Sequence, residues 1–386
     1  MFDSLRINPN LIQNWTRDSY LDSWEQWANK PKIVLDLTKG VHPLLPIETL
    51  QEYNRASMDR VLAQYGYEYM DLSPAGQYEA FRKTICNKFT QHGFTSDQIL
   101  LWHGSFHIVE RIFTKALRTW TKLLGVGPQF NELPDEFRRM EGNSYDTAFS
   151  DSDFTPQLDK LAELLEGSEN VSGVYLDNPN NPTGKALDQE KLKTIIEVAQ
   201  KKGILVVIDE AYGDFLTDEQ SGMKYVQMFD NVLVVRSMSK GYGLARDRIG
   251  YALGNKDLIK GLSPIFVPFE PSEKSLVLWN MIMQDYPSLS TDEVARKKQQ
   301  FLTLLEQKTG IRHADTELST PILAAIFRDN IHAALGRIGI NTVPGSSFNQ
   351  TNPHMTDNVC RIVIPKDDKK FDTLMKLIGN AEELKS

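Results

Sequence analysis

Val171–Gly184 reads VSGVYLDNPNNPTG, and Ile204–Phe215 reads ILVVIDEAYGDF. In both, a run of β-branched and aliphatic residues stops at an aspartate and gives way to turn-forming residues. Between them DQEKLKTIIEVAQKK (188–202) repeats its apolar residues at helical spacing, and NVLVVRS (231–237) follows as a third apolar run. The runs ILVVID and NVLVVRS are apolar on both alternations, as strands covered on both faces must be. Strands of that kind alternating with helices predict a mostly parallel sheet. The rhythm extends outward to QILLW (98–102), LLGVG (123–127) and IGYAL (249–253).

Beyond these the pattern changes. STDEVARKKQQFLTLLEQKTG is helical, LAAIF and CRIVIP are strand-like, and HAALGRIG and KKFDTLMKLIGNAEEL are helical again. The expected architecture is therefore α/β, a mostly parallel large domain with a smaller α+β domain. The expected division is an N-terminal segment, 1–48, packing with the small domain, then a large domain over 49–265 and a small one over 266–386.

In parallel sheets, ligands sit at the carboxyl ends of the strands, and the unusual polar residues of this chain collect there. A carboxylate at Asp209, ending a buried strand, is costly unless a cation or strong donor meets it. A protonated pyridine nitrogen is such a partner. Tyr212 and Asn181 would then reach the phenolic oxygen of the same ring. Just past the third strand, Lys240 in SMSK is a nucleophile for a Schiff base, because partial burial and a cationic neighbour ease the loss of its proton. Arg248 would pair with a phosphate, helped by Ser237 and Ser239. Pyridoxal 5′-phosphate carries a pyridine, a phenolic oxygen, an aldehyde and a phosphate together. Taken singly, NPNNPTG is a rigid turn, Asp209 a helix cap, Tyr212 a packed ring and Lys240 a solvated loop residue. Those readings do not account for the ordered set.

The set NPNNPTG, DEAY, SMSK and Arg248 resembles the aspartate aminotransferase superfamily of fold type I, classes I and II, with features of histidinol-phosphate aminotransferases. The resemblance implies further residues. HGSFHIVE, from His103, would open a helix whose Ser105 and Phe106 backbone N–H groups cradle the phosphate; His107 stands where the family usually has an acidic residue. Phe130 matches the aromatic that stacks on the ring, Gly40 a substrate-side glycine, and Arg361 the arginine that binds the substrate carboxylate with Asn181. Tyr69 resembles a tyrosine that reaches the partner subunit's phosphate. The family also implies a homodimer with shared active sites, and an amino acid as substrate. His42, in DLTKGVHP, is a substrate-side acid/base or selectivity candidate on a fainter N-terminal likeness to capreomycidine synthase; its plain alternative is a loop histidine before Pro43.

Composition narrows the remaining choices. The 386 residues are 41% hydrophobic and 24% charged with a formal charge of −8, which suits a two-domain globular chain and argues against binding to nucleic acid or anionic membrane. Cys86 and Cys360 are the only cysteines, so no metal site is expected and a reducing, cytoplasmic setting is. No stretch reads as a signal peptide or membrane helix.

The leading expectation is an aminotransferase. The same electron sink also serves elimination, cyclisation on a hydroxylated arginine, or decarboxylation. A catalytically silent cofactor-binding regulator is the alternative from outside enzymology. Tyr65, Tyr67, Tyr69, Glu270 and Glu273 are candidates for shaping the side-chain pocket.

Overall fold

A computed structural model describes residues 33–63, 76–150, 152–266 and 271–385. Tyr65, Tyr67, Tyr69 and Glu270 lie outside the described residues. The first strand, β1 (Leu35–Asp36), precedes a seven-stranded sheet built from β2 (Ile99–Trp102), β3 (Lys122–Gly127), β4 (Ser144–Phe149), β5 (Val171–Asp177), β6 (Leu205–Glu210), β7 (Val232–Ser237) and β8 (Gly250–Gly254). Its order is β2-β8-β7-β6-β5-β3-β4, with β3 to β7 parallel to one another and β8 antiparallel to both β7 and β2.

The pleat explains why these strands carry so little polarity. Val206, Ile208, Val232 and Val234 face one core, where they meet Leu192, Ile195 and Ile196 of the helix Gln189–Lys201. Val207, Leu233 and Val235 face the other, against Ile108, Ile112 and Phe113 of the helix Gly104–Lys115. Each of these side chains is at most 1% exposed, and full burial of one contributes about 1.5–3 kcal/mol. The helix between β5 and β6 starts at Asp188, whose carboxylate accepts from Lys191 N at 3.1 Å, satisfying one of the open N–H groups of its first turn.

The remaining strands are β9 (Arg312–His313), β10 (Ile322–Ile326), β11 (Ile340–Asn341), β12 (Val343–Pro344) and β13 (Val359–Val363). Four of them form an antiparallel sheet, β12-β13-β10-β9, while β11 pairs with β1. Leu35 and Leu37 enter this second core beside Phe301 and Leu305 of the helix Asp292–Lys308 and Phe371 and Leu374 of the helix Asp368–Asn380. The helix Glu273–Asp285 does not join it. Its Leu276, Leu278, Trp279 and Ile282 pack in the first core, although the division at residue 265 put this stretch in the small domain. Its apolar face is broad enough to fit either core, and only the tertiary arrangement decides which.

Candidate active site

The carboxyl ends of β5, β6 and β7 lie side by side, and register sets what they present. Asp177 of β5 is opposite Asp209 of β6, so two buried carboxylates adjoin. Asp177 accepts from Asn181 N at 2.8 Å, Phe130 N at 3.3 Å and Asn180 Nδ2 at 3.0 Å. It thus pins both the NPNNPTG loop and the loop carrying Phe130; burial, the largest influence, still pushes its pKa up to about 7. Asp209 accepts from Ala211 N at 2.9 Å and from Tyr175 Oη at 3.2 Å. Burial raises its pKa to about 6 against those two bonds and the charge of Lys240.

Glu210 follows Asp209 and points to the other face. Its Oε2 receives Arg236 Nη2 at 2.7 Å and Nε at 3.0 Å, and Ser221 Oγ at 2.8 Å. Its Oε1 receives Gly222 N at 2.6 Å and Asn178 Nδ2 at 3.1 Å.

Tyr212, Lys240 and Gly40 converge. Lys240 Nζ lies 5.2 Å from the centre of the Tyr212 ring. A Cβ placed on Gly40 would stand 1.9 Å from Tyr212 Oη and 3.5 Å from Lys240 Nζ, so only glycine leaves this corner open. Tyr212 is 4% exposed and its hydroxyl is buried with no hydrogen-bond partner among the described residues; burial raises its pKa, against the nearby charge of Arg361. Arg361, on β13, donates from Nη1 to Asn181 Oδ1 at 3.1 Å and from Nη2 to Thr38 O at 2.5 Å. A strand of the smaller sheet and a loop of the larger one thus meet at this contact.

A second convergence lies at the start of the helix Gly104–Lys115. Gly104 has φ 85, and a Cβ there would be 2.7 Å from Arg248 Nη2. Arg248, itself at φ 53, donates to Ala245 O at 3.0 Å and His103 O at 3.1 Å, and burial pulls its pKa down. Gly250, in register with Ser237, leaves space in which a Cβ would be 2.5 Å from Ser105 N. Ser237 Oγ bonds Ser239 Oγ at 2.7 Å and receives Ser239 N at 3.1 Å. Ser105, Ser237, Ser239 and Arg248 thus ring a glycine-floored helix N-terminus, which suits an anion. Phe106 and Phe130 meet edge to face with ring centres 6.4 Å apart.

His42 lies two residues beyond Gly40. It is 1% exposed, its Nδ1 bonds Ile364 O at 2.8 Å, and its ring meets Phe215 at 6.4 Å. Burial lowers its pKa to about 4. His107 is exposed, with Nδ1 3.2 Å from His103 O. Sequence reasoning missed Tyr175 and Asp177, both inside VSGVYLD. The signal was an aspartate directly preceding NPNNPTG, but its meaning depends on register with Asp209. Among the described residues no cluster of His, Cys, Asp and Glu could hold a metal ion, and no helix is long and apolar enough to cross a membrane.

These residues could hold a planar ring with a cationic nitrogen at Asp209, a hydroxyl-type oxygen at Tyr212, a carbonyl at Lys240 and a phosphate at Arg248. Residues 32–375 match the family described as aminotransferase class I and II. The chain belongs to that family, whose fold is fold type I and whose cofactor is pyridoxal 5′-phosphate. A histidinol-phosphate aminotransferase of Chlorobaculum tepidum is 29% identical over 240 residues, covering 61% of this chain and 65% of that protein. The matched stretch thus spans less than two thirds of that relative. Among solved structures, histidinol-phosphate aminotransferase from Sinorhizobium meliloti in complex with pyridoxal 5′-phosphate superposes with a TM-score of 0.75 at 18% identity, covering 97% of each chain. A Thermus thermophilus aspartate aminotransferase double mutant gives 0.76 at 18%, over 97% of this chain and 99% of that one.

Proposed function

We propose that this chain is an aminotransferase that moves an amino group between an amino acid and a 2-keto acid. The observation that carries the reading is the convergence of Lys240, Tyr212 and Gly40 beside the Arg361–Asn181 pair. Lys240 would hold the cofactor covalently, Asp209 its ring nitrogen, Tyr212 and Asn181 its phenolic oxygen, and Phe130 one face of its ring. Ser105, the backbone N–H of Phe106, Ser237, Ser239 and Arg248 would hold its phosphate. When bound, pyridoxal 5′-phosphate supplies an electron sink for the charge left at the substrate Cα.

The chain's own residues do the rest. The guanidinium of Arg361, oriented by Asn181 Oδ1 and Thr38 O, offers a planar fork to the α-carboxylate. Gly40 lets backbone come close to the substrate. Lys240 Nζ is the base that takes the Cα proton, and Tyr212 Oη, in the same corner beside Gly40, keeps its proton for the phenolic oxygen. His42, tied to Ile364 O and buried, anchors the Gly40 loop rather than meeting substrate. The relatives named above favour transamination over elimination, cyclisation or decarboxylation, and a silent regulator has no need of this set. The family resemblance, together with Ile47 and Met58 exposed at 56% and 45% on the helix Ile47–Ala63, supports a homodimer with sites at the subunit boundary.

The test is a visible absorption spectrum of the purified protein with a panel of amino acids, arginine and hydroxyarginine included. Conversion to pyridoxamine 5′-phosphate with one equivalent of keto acid is expected, and Lys240→Ala should abolish both turnover and the resting spectrum. Product without the pyridoxamine form would shift the assignment to elimination or cyclisation. Unchanged turnover in Lys240→Ala would remove Lys240 from the mechanism.

A further inference from the structure

Lys298, in the helix Asp292–Lys308, is 0% exposed and takes no part in the chemistry above. Its Nζ reaches five oxygens: Thr316 Oγ1 at 2.6 Å, Glu317 O at 2.7 Å, Ile322 O at 2.8 Å, and Thr320 O and Oγ1 at 3.0 Å each. None is a carboxylate oxygen. Both hydroxyl protons have acceptors of their own. Thr320 Oγ1 donates to Gly184 O at 2.9 Å, and Thr316 Oγ1 faces Ile322 O at 3.4 Å. All five oxygens therefore turn lone pairs toward Nζ. A neutral amine would set its own lone pair against one of them; an ammonium is donor only. Burial pulls the Lys298 pKa well below its ordinary value, against the nearby charges of Glu317 and Asp315.

The cage sits where the two sheets meet. Gly184, the last residue of NPNNPTG, has φ 76, and a Cβ there would be 2.3 Å from Ile322 O, 2.5 Å from Thr320 Oγ1 and 2.8 Å from Thr316 Oγ1. Glu317 N also donates to Gly184 O at 3.1 Å. On its outer side Lys185 pairs with Asp315 at 3.0 Å and Glu317 at 3.1 Å. From Gly184 the chain runs back a few residues to Asn181. On the other side Ile322 opens β10, whose Ala324 is in register with Arg361. The same cage thus fixes both ends of the Arg361–Asn181 contact.

We propose that Lys298 is a tethered monovalent cation that locks the Thr316–Ile322 loop onto Gly184 and so positions Asn181 and Arg361 for the anionic head of the substrate. It is a positioning residue, and its kinetic consequence rests on the aminotransferase reading. Lys298→Ala deletes the ammonium and three methylenes but leaves the five oxygens, a space that propylammonium restores. The expected result is a lower melting temperature and a KM for the amino donor raised roughly tenfold or more, with kcat little changed. Propylammonium chloride should reverse both defects, and 1-propanol, similar in shape but uncharged, should not. Lys298→Met, which fills the space without charge, should keep the defects and ignore propylammonium.

A Lys298→Met variant with wild-type melting and KM would overturn the proposal, as would equal rescue by propanol. Should Lys298→Ala not fold, Thr320→Val carries the test: KM should rise severalfold, and an unchanged KM overturns the link. If the wild type turns over no amino acid, the activity reading fails. The melting response to propylammonium still decides whether the cage needs its cation.

Discussion

Asp209 and Glu210 are consecutive, both buried, and face opposite sides of one strand, yet the protein treats them differently. Glu210 has a guanidinium fork from Arg236 and donors from Ser221, Gly222 and Asn178. Asp209 has two donors, Ala211 N and Tyr175 Oη, with a pKa raised to about 6. A carboxylate that the fold completes belongs to stability. One that the fold leaves short of positive charge belongs to a ligand that brings some.

The sharpest test of that contrast is Asp209→Ala. It should lower kcat by about 10²–10³-fold, the usual loss when a preorganised charge partner is removed, while the chain still folds. Near-normal turnover would erase the distinction between the two residues. Glu210→Gln should do the reverse. Leaving the buried Arg236 guanidinium without its counter-charge costs about 3–5 kcal/mol of stability, read from chemical denaturation, and denaturation unchanged from wild type would mean that this pair does not hold the fold.

The pH dependence of the cofactor-free protein separates the two further. Asp209 has a folded pKa of about 6 against an ordinary 3.8, so the folded chain holds that proton more tightly than the unfolded chain. Its ionisation therefore opposes folding above about pH 6, and the opposition fades as pH falls toward 3.8. Asp209→Asn should stabilise the cofactor-free protein at pH 7 by on the order of 2–3 kcal/mol, with the gain vanishing in acid. His42, lowered to about 4 from 6.5, acts in the opposite sense, since stability tied to its neutral ring is lost as pH falls through that window; comparing variant with wild type cancels it. A gain that persists at low pH would point to packing rather than charge.

The smallest of these effects lies at the substrate side. Arg361→Ala should raise KM for the amino donor by more than about tenfold, roughly 1.4 kcal/mol. If KM stays unchanged in steady-state assays, the carboxylate sits elsewhere.

The large sheet was legible because β6 and β7 are apolar on both faces, a pattern that few other arrangements require. β4, SYDTAF, was not, because only Tyr145 and Ala148 of its residues are buried and its polar alternation reads as loop. The ends of the strands were legible for a related reason. Asp209, Tyr212 and Lys240 break apolar runs abruptly, and such breaks are costly without a purpose. Tyr175 and Asp177 were hidden because their importance comes from the strand alongside, which no local pattern reports. Lys298 was hidden more thoroughly. In the run ARKKQQ it reads as part of a solvated helix face, and only folding brings the Thr316–Ile322 loop around it.

The backbone at Arg248 lies at φ 53, a left-handed conformation that costs a residue with a side chain on the order of 1 kcal/mol. Two carbonyl contacts hold the guanidinium in place there before any anion arrives. The entropy of aiming that side chain is thus lost once, during folding, rather than at every encounter with cofactor. Replacing Arg248 by glycine would relax the main chain while abolishing the aim, so the strain is a form of preorganisation: stability is traded for a receptor that does not have to search.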